Sequence, residues 1–199
     1  MAFKNLWRWI RFNLMYLGRP PWDTGVSPPE LKRVLDEKPA GRALDVGCGT
    51  GTNLVTMAQY GWSVVGMDMA WLSVLRARAK LQKAGINARV IHGDVTGEPG
   101  LDQTFDLVLD IGCYHSLSPG GRKDYVSNLN RWLKSGGCYL LYAHRKDSDG
   151  AEHGVTDDDL ELFKAFLDQC WREDSDERRP DGGGGRPATW ACFVKPKQT

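Results

Sequence analysis

The sequence predicts a doubly wound α/β fold, in which helices cover both faces of a mostly parallel sheet. Short apolar runs alternate with helical segments through the middle of the chain, which is the pattern of strands joined by crossover helices. Glycines follow the first apolar run directly. Aspartates stand at or just after the ends of four successive runs, which lie at 43–46, 62–67, 88–92 and 105–110.

The predicted elements follow one another in a regular order. Apolar residues at three- and four-residue spacing predict an amphipathic helix over 3–17. A proline-rich loop at 18–29 then leads into a short helix at 29–37. The predicted strands after it are 43–46, 62–67, 88–92, 105–110 and 138–143, and the helices between them are 52–60, 71–84 and 124–133, the last closed by Ser135, Gly136 and Gly137.

The last third of the chain predicts one more helix and a hairpin. The helix covers 157–169, with three aspartates in its first turn and an apolar face of Leu160, Phe163, Phe166 and Leu167. The charged segment 173–179 suits an edge strand, where charge discourages unwanted pairing. An apolar strand at 188–194 completes the hairpin, and the glycines at 182–185 form its turn.

Composition narrows the functional classes. A chain of 199 residues with a formal net charge of +1 suits one domain and gives no reason to expect nucleic acid as a partner. The five cysteines, at 48, 113, 138, 170 and 192, include no CxxC pair. We therefore expect no metal site, and we expect a reducing compartment, the cytoplasm. We also expect the protein to be a monomer or a homodimer.

The N-terminal helix is basic and aromatic. It carries four basic residues through Arg19 and no acidic one, as a helix lying on a membrane surface would. However, Trp9, Phe12 and Tyr16 spread apolar area around most of its circumference, which favours packing on the domain. We therefore predict that residues 1–38 form a helical cap or lid over a catalytic domain at 39–199, with membrane contact as the weaker alternative.

The glycine-rich segment after the first strand is the first candidate binding site. Gly47, Gly49 and Gly51 permit a positive φ and a close approach of backbone to a ligand, next to a helix N-terminus. A dinucleotide site would have G-x-G-x-x-G, whereas the spacing here is G-x-G-x-G. Asp45 would repel a pyrophosphate and suits a cationic amine. A purely structural strand-to-helix turn is the alternative.

Two further aspartates mark the ends of the next strands. Asp68 lies 17 residues after Gly51 and can accept both hydroxyl hydrogens of a ribose. Its alternative role is to cap the helix that begins near Trp71. Asp94 occupies the matching place after the third strand, where it can accept an adenine amino group or cap a turn.

Residues 43–51, ALDVGCGTG, resemble the first motif of class I S-adenosylmethionine-dependent methyltransferases, and Asp68 and the Gly93-Asp94 pair fall where the next two motifs fall. The resemblance implies a Rossmann-like sheet of seven strands with an antiparallel C-terminal hairpin. It also implies that S-adenosylmethionine is the cofactor. Its binding residues would be Asp45 and Gly47 near the methionine part, Gly49 and Gly51 in the turn, Asp68 and Met69 at the ribose, and Asp94 and Val95 at the adenine.

The segment 105–117 resembles the fourth-strand motif of small-molecule methyltransferases, with His115 five positions after Asp110. The resemblance implies that Asp110, Tyr114 and His115 line the place where sulfonium and acceptor meet. His115 can then act as a general base near neutral pH. In the alternative interpretation His115 only packs against its loop or orients it, and Tyr114 serves as a wall.

The segment 20–25, PPWDTG, is similar to the N-terminal Pro-Trp-Asp segment of the thiopurine, thiol and halide methyltransferases. That resemblance implies that Trp22 closes over the methyl donor, while the alternative is a tryptophan that anchors its loop. The basic, aromatic first helix departs from that group.

Together these features predict an enzyme that transfers a methyl group in line from S-adenosylmethionine to a small molecule. The accepting atom can be sulfur, oxygen, nitrogen or a halide. Such a reaction depends mainly on holding donor and acceptor in line. A nicotinamide-dependent oxidoreductase and a non-catalytic nucleoside-binding module are the alternatives.

Overall fold

A computed structural model of the chain describes residues 3–97, 100–101, 104–146, 154–177 and 186–197. The chain forms two compact units, Met1–Gly100 and Leu101–Thr199. The helical cap predicted for residues 1–38 belongs to the first unit. Its separate function as a lid remains a prediction.

The elements alternate as the sequence predicts. The helices are α1 Phe3–Met15, α2 Pro29–Glu37, α3 Thr52–Gln59, α4 Trp71–Lys83, α5 Pro119–Trp132 and α6 Asp157–Lys164, with a 3₁₀ turn at Tyr114–Ser116. The strands are β1 Arg42–Val46, β2 Ser63–Asp68, β3 Arg89–His92, β4 Phe105–Ile111, β5 Leu133–His144, β6 Asp168–Glu177 and β7 Arg186–Val194.

The seven strands form one sheet in the order β3-β2-β1-β4-β5-β7-β6. Strands β1 to β3 pair in parallel, as do β4 and β5, and β7 runs antiparallel between β5 and β6. This arrangement confirms the predicted Rossmann-like fold class with its antiparallel C-terminal pair.

The parallel register of the first unit brings the carboxyl ends of its strands to one edge. Val46 is opposite Met67, and Asp68 is opposite His92. The N–H groups of Gly47 and Cys48 both donate to the Met67 carbonyl, at 2.8 and 3.0 Å. The glycine-rich segment therefore begins beside the end of β2, because register and backbone hydrogen bonds hold it there.

Helix α1 docks on α4 through polar contacts. The N–H of Leu72 donates to the side-chain oxygen of Asn13 at 3.3 Å, and the Arg76 guanidinium donates to the Gly18 carbonyl at 2.8 Å. These contacts agree with the predicted packing of the cap on the domain. Among the described residues, no helix is both long and apolar enough to cross a membrane.

The end of α1 differs from the prediction. The helix stops at Met15, two residues early. Leu14 and Leu17, which belong to the apolar spacing that predicts the helix, are 59% and 70% exposed. Tyr16, just past the helix, is instead almost fully buried. The buried side of this segment therefore turns towards the loop that follows.

Helix α5 begins at Pro119, five residues before the predicted start. The Ser118 hydroxyl accepts from the N–H of Gly121 at 3.2 Å, so a serine cap followed by proline starts the helix. The helix ends at Trp132, and the Ser-Gly-Gly segment predicted to close it belongs to β5. An irregularity in the β4–β5 pairing, where Phe105 pairs with Leu133 and Leu107 with Cys138, accommodates the extra residues of β5.

The boundary between α6 and β6 also lies earlier than predicted. Thr156 and Asp159 form a capping box at the start of α6, which accounts for one of the three aspartates there. The helix ends at Lys164 instead of Gln169, and β6 starts at Asp168. Leu160, Phe163 and Leu167 are buried as predicted, whereas Phe166 is half-buried. Strand β6 is an edge strand, and the predicted turn at 182–185 lies outside the described residues.

Candidate active site

The glycine turn, residues 47–51, has the backbone that its sequence predicts. Gly47, Gly49 and Gly51 have φ values of 71°, 52° and 80°, in the left-handed region that favours glycine. A Cβ on Gly51 would lie 3.1 Å from the Cβ of Ala77 in α4. The turn therefore needs glycine here for both its conformation and its packing.

Asp68 connects the glycine turn to the end of β2. One carboxylate oxygen accepts from the Gly49 N–H at 2.9 Å and the other from the Ala70 N–H at 2.8 Å. Burial raises the pKa of Asp68, and the two N–H donors partly offset this effect. Asp68 does not cap α4, because Ala70 is the N-cap residue. The Ser73 hydroxyl is a further partner of this carboxylate. A carboxylate can accept the hydroxyl hydrogens of a ribose, and that role of Asp68 remains a prediction.

The remaining cofactor candidates of the first unit occupy different environments. Asp45 is 1% exposed within β1. One oxygen of Asp94 accepts from both the N–H and the hydroxyl of Thr96, at 2.9 and 2.8 Å, so Asp94 caps a turn. Val95 is buried, and the carbonyl of Met69 lies 3.0 Å from a ring nitrogen of His92. Contact of these residues with a cofactor remains a prediction.

The Trp22 loop, residues 19–24, is anchored on α1. The Trp22 indole N–H donates to the Tyr16 hydroxyl at 3.1 Å, and its ring makes edge contacts with Phe12 and Tyr16. The Trp22 side chain nevertheless remains half-exposed. The anchoring alternative therefore describes the observed contacts, and closure over a methyl donor remains a prediction.

Tyr16 is a candidate site residue that the sequence did not single out. It is 3% exposed, and a Cβ built on Gly49 would lie 3.0 Å from its hydroxyl. Burial and the nearby charge of Asp68 raise the pKa of Tyr16, so its hydroxyl stays protonated. No local pattern distinguishes Tyr16 from the other aromatic residues of the first helix.

Side-chain hydrogen bonds also connect the glycine turn to the Trp22 loop and to α4. The Thr50 hydroxyl donates to Asp23 of the Trp22 loop at 2.8 Å, and the Lys80 ammonium of α4 donates to both Thr50 and Thr52, at 3.0 and 2.8 Å. Asp23 and Thr50 lie in segments that the sequence singles out, whereas Lys80 and Thr52 do not. The glycine turn is thus joined to both the loop and α4.

In the second unit, Asp110 is fully buried beneath the 3₁₀ turn. Its carboxylate accepts from the N–H groups of Cys113 and Tyr114, at 2.8 and 3.1 Å, and from the Tyr125 hydroxyl at 2.7 Å. Burial raises the pKa of Asp110 to about 7, and these hydrogen bonds partly offset the effect of burial. Asp110 therefore holds the turn that carries Tyr114 and His115.

Tyr114 and His115 point to different partners. The Tyr114 hydroxyl donates to the Asp159 carbonyl at 3.0 Å, and its ring packs on Phe163 in the core. These contacts place the ring in the core, and a role of Tyr114 at the acceptor, as wall or catalyst, remains a prediction. His115 is half-buried, and its Nδ1 accepts from the main-chain N–H of His144 at 3.1 Å.

Two groups of predicted residues are thus assembled. The first unit joins the three glycines and Asp68, and the second joins Asp110, Tyr114 and His115. No group of three or more His, Cys, Asp or Glu side chains suited to a metal ion occurs in the part of the chain that the structure describes.

Comparison with known proteins places these features in context. Residues 43–137 match a family model described as a methyltransferase domain. A 2-heptyl-1-hydroxyquinolin-4(1H)-one methyltransferase of Mycobacteroides abscessus is 27% identical over 163 residues, which are 78% of this chain and 70% of that protein. A probable thiol methyltransferase of Arabidopsis thaliana is 32% identical over 146 residues, or 70% of this chain and 64% of that protein. The chain thus spans less than two thirds of the plant protein.

A solved structure has the same fold. The N-methyltransferase NodS of Bradyrhizobium japonicum, in complex with S-adenosyl-L-homocysteine, superposes with a TM-score of 0.78 at 17% identity, and the match covers 95% of this chain and 98% of that one. At this identity the similarity establishes the architecture alone. Similarity to methyltransferases beyond the fold rests instead on the family model and on the two named relatives.

Proposed function

We propose that this chain, which belongs to the class I S-adenosylmethionine-dependent methyltransferases, transfers the methyl group to an acidic heteroatom of a small molecule. We propose further that a thiol is the preferred acceptor. The observation that carries the cofactor half of this proposal is the Asp68 carboxylate, which holds the Gly49 N–H and lies at the end of β2. The relatives named above support the acceptor half, since one is named a probable thiol methyltransferase and the other a 1-hydroxyquinolinone methyltransferase. The oxidoreductase and binding-module alternatives find no support in these comparisons.

The first unit supplies the groups that would hold the cofactor. Asp68 would accept the ribose hydroxyls, and the turn of Gly47, Gly49 and Gly51 would let the backbone approach the amino-acid part. Asp45 would attract its ammonium group. When bound, S-adenosylmethionine supplies an electrophilic methyl group on a sulfonium. The buried Tyr16 and the Trp22 above it would exclude water from this region.

The second unit supplies the proposed acceptor contact, His115. Its Nδ1 accepts a main-chain N–H, so the neutral ring carries its proton on Nε2. A nitrogen in that state donates a hydrogen bond, which suits an acceptor that already carries negative charge. Asp110 and Tyr114 would position this ring by fixing the 3₁₀ turn. Aromatic thiols and N-hydroxy heterocycles are acidic enough to ionise near neutral pH, so such acceptors would need no base from the protein.

Calorimetric titration tests the cofactor half. We expect the purified protein to bind S-adenosylmethionine and S-adenosyl-L-homocysteine and not NAD. Asp68→Ala should weaken this binding by about tenfold or more, because it removes charge-assisted hydrogen bonds. Asp36→Ala, at an exposed acid of α2, is the matched control. Binding of NAD alone would overturn the proposal in favour of an oxidoreductase.

An acceptor panel tests the other half. Thiophenol, thiocyanate, a 1-hydroxyquinolinone, a phenol and a primary amine would be incubated with the labelled methyl donor. We expect transfer to the first three, with the thiol favoured, and little to the amine. Preferential methylation of the amine would refute the acceptor class, and cofactor binding without transfer to any compound would favour a binding module. The cysteine spacing supports the cytoplasm as the location of this activity.

A further inference from the structure

We propose that Thr50 and Lys80 are positioning residues that fasten the Trp22 loop to the glycine turn and thereby slow the release of bound cofactor. The proposal rests on the proposed function only for the identity of the ligand. The fastening itself is a property of the protein without ligand. Neither residue touches the reacting atoms in this scheme.

The hydrogen bonds form a chain with one direction. The Lys80 ammonium can only donate, a carboxylate can only accept, and a hydroxyl has one hydrogen and two lone pairs. Lys80 therefore occupies a lone pair of the Thr50 hydroxyl at 3.0 Å, and the hydroxyl hydrogen points to Asp23 at 2.8 Å. Donation from an ammonium polarises the hydroxyl and strengthens its bond to the carboxylate. The loop is thus held by a charge-assisted chain anchored on α4.

The loop is stiff enough to transmit this contact to its tryptophan. The Arg19 guanidinium donates to the carbonyls of Asp23 and Thr24, both at 2.7 Å, and the Asp23 N–H donates to the Pro20 carbonyl at 3.0 Å. These bonds close the loop on itself. A displacement of Asp23 therefore also displaces its neighbour Trp22.

Trp22 in turn contacts the residue that lies over the glycine turn. Its indole donates to the Tyr16 hydroxyl, whose oxygen lies where a Cβ on Gly49 would make a 3.0 Å contact. Both Asp23 and Tyr16 thus meet the glycine turn, at the adjacent positions Thr50 and Gly49. Loss of the Thr50 hydroxyl would free one of these two contacts and leave the shape of the turn intact.

Thr52 provides a matched control. Its hydroxyl accepts from the same Lys80 ammonium at 2.8 Å, but it has no hydrogen bond to the Trp22 loop in the part of the chain that the structure describes. Thr50→Val and Thr52→Val make the same chemical change two residues apart. Only the first breaks the link to Asp23, and Thr50→Ser restores a hydroxyl at the same place.

Two measurements on the full chain test the proposal. The first is hydrogen–deuterium exchange of residues 19–24 without ligand, and the second is the dissociation rate of S-adenosyl-L-homocysteine by stopped flow. We expect Thr50→Val to raise both by about tenfold, as the loss of a hydrogen bond to a charged group implies. Thr50→Ser should stay within about threefold of the parent protein, and Thr52→Val should not differ from it. Lys80→Met should shift both rates in the direction of Thr50→Val.

Equal exchange and equal dissociation rates in Thr50→Val and Thr52→Val would overturn the proposal, as would failure of Thr50→Ser to restore slow exchange. If the parent protein does not bind S-adenosyl-L-homocysteine, the proposed function fails while the exchange measurement still decides the fastening. Should Thr50→Val lose its cooperative melting transition, Asp23→Ala removes the acceptor of the same chain at a half-buried loop position. Exchange of residues 19–24 that is as slow in Asp23→Ala as in the parent protein would then overturn the proposal.

Discussion

The main-chain N–H of His144 donates a hydrogen bond to Nδ1 of His115 across 3.1 Å. A ring nitrogen that accepts from an N–H carries no hydrogen of its own, so the neutral imidazole of His115 bears its proton on Nε2. The bare Nδ1 that a general base would use is already engaged with the backbone. This single contact argues against the predicted general-base role and leaves Nε2–H of His115 as a hydrogen-bond donor.

Substitution of His115 separates these roles. The amide of His115→Gln can donate a hydrogen bond but cannot take up a proton, whereas His115→Leu can do neither. For a thiol acceptor we expect His115→Gln to keep kcat/KM within about tenfold of the parent value and His115→Leu to lose about a hundredfold. Initial rates with a thiol of low pKa measure both. An equal, large loss in the two variants would restore the general-base interpretation.

The buried carboxyl of Asp110 makes stability depend on pH. Because burial raises its folded-state pKa to about 7 from an ordinary value of 3.8, the folded protein binds more protons than the unfolded chain between these limits. The free energy of unfolding should therefore fall as pH rises from about 4 to about 7, by on the order of 4 kcal/mol from this group alone.

Asp110→Asn should remove that contribution. In urea unfolding at several pH values between about 5 and about 8, the free energy of unfolding of the parent minus that of the variant should fall as the pH rises, since only the parent has the carboxyl to ionise. The exposed Asp36→Asn serves as the control. If this difference stayed constant or increased with pH, it would contradict the raised pKa of Asp110.

Gly66 of β2 supports the glycine turn from beneath. A Cβ there would lie 2.6 Å from the Leu54 side chain and 2.9 Å from the Cys48 sulfur, and both of these residues are buried. Gly66→Ala should cost about 1 to 3 kcal/mol through overpacking and, by displacing Cys48, weaken cofactor binding. Gly120→Ala, in an exposed turn of α5 with open space around it, should be neutral or slightly stabilising. Equal unfolding midpoints for the two variants would refute this packing argument.

The Tyr16 hydroxyl should affect binding more than folding. Tyr16→Phe keeps the buried ring but removes the acceptor for the Trp22 indole. We expect affinity for S-adenosyl-L-homocysteine to fall by about fivefold, as the loss of one neutral hydrogen bond implies. Calorimetry measures the affinity, and thermal unfolding shows whether the core is retained. Unchanged affinity in a stable variant would place Tyr16 outside the cofactor site.

Much of the fold was predictable because it follows from local pattern. Alternation of apolar runs and helical segments set the order of the strands, and the glycines and Asp68 marked the carboxyl edge of the sheet. The family, the enzyme class and S-adenosylmethionine as cofactor are confirmed by the comparisons. The errors lie where one segment depends on a distant partner. Phe105 pairs with Leu133 and Leu107 with Cys138, so β5 continues through 134–137 across an irregularity in its pairing with β4, and no pattern within those residues shows this.

The sequence by itself determined where backbone freedom and negative charge stand along the chain, since glycine and aspartate carry these properties in any surroundings. Only the tertiary structure decided how those groups are used. Tyr16, Thr50 and Lys80 meet at the glycine turn although tens of residues separate them, and the proton of His115 is placed by a main-chain group 29 residues away. Such contacts arise from packing, which local residue patterns do not encode.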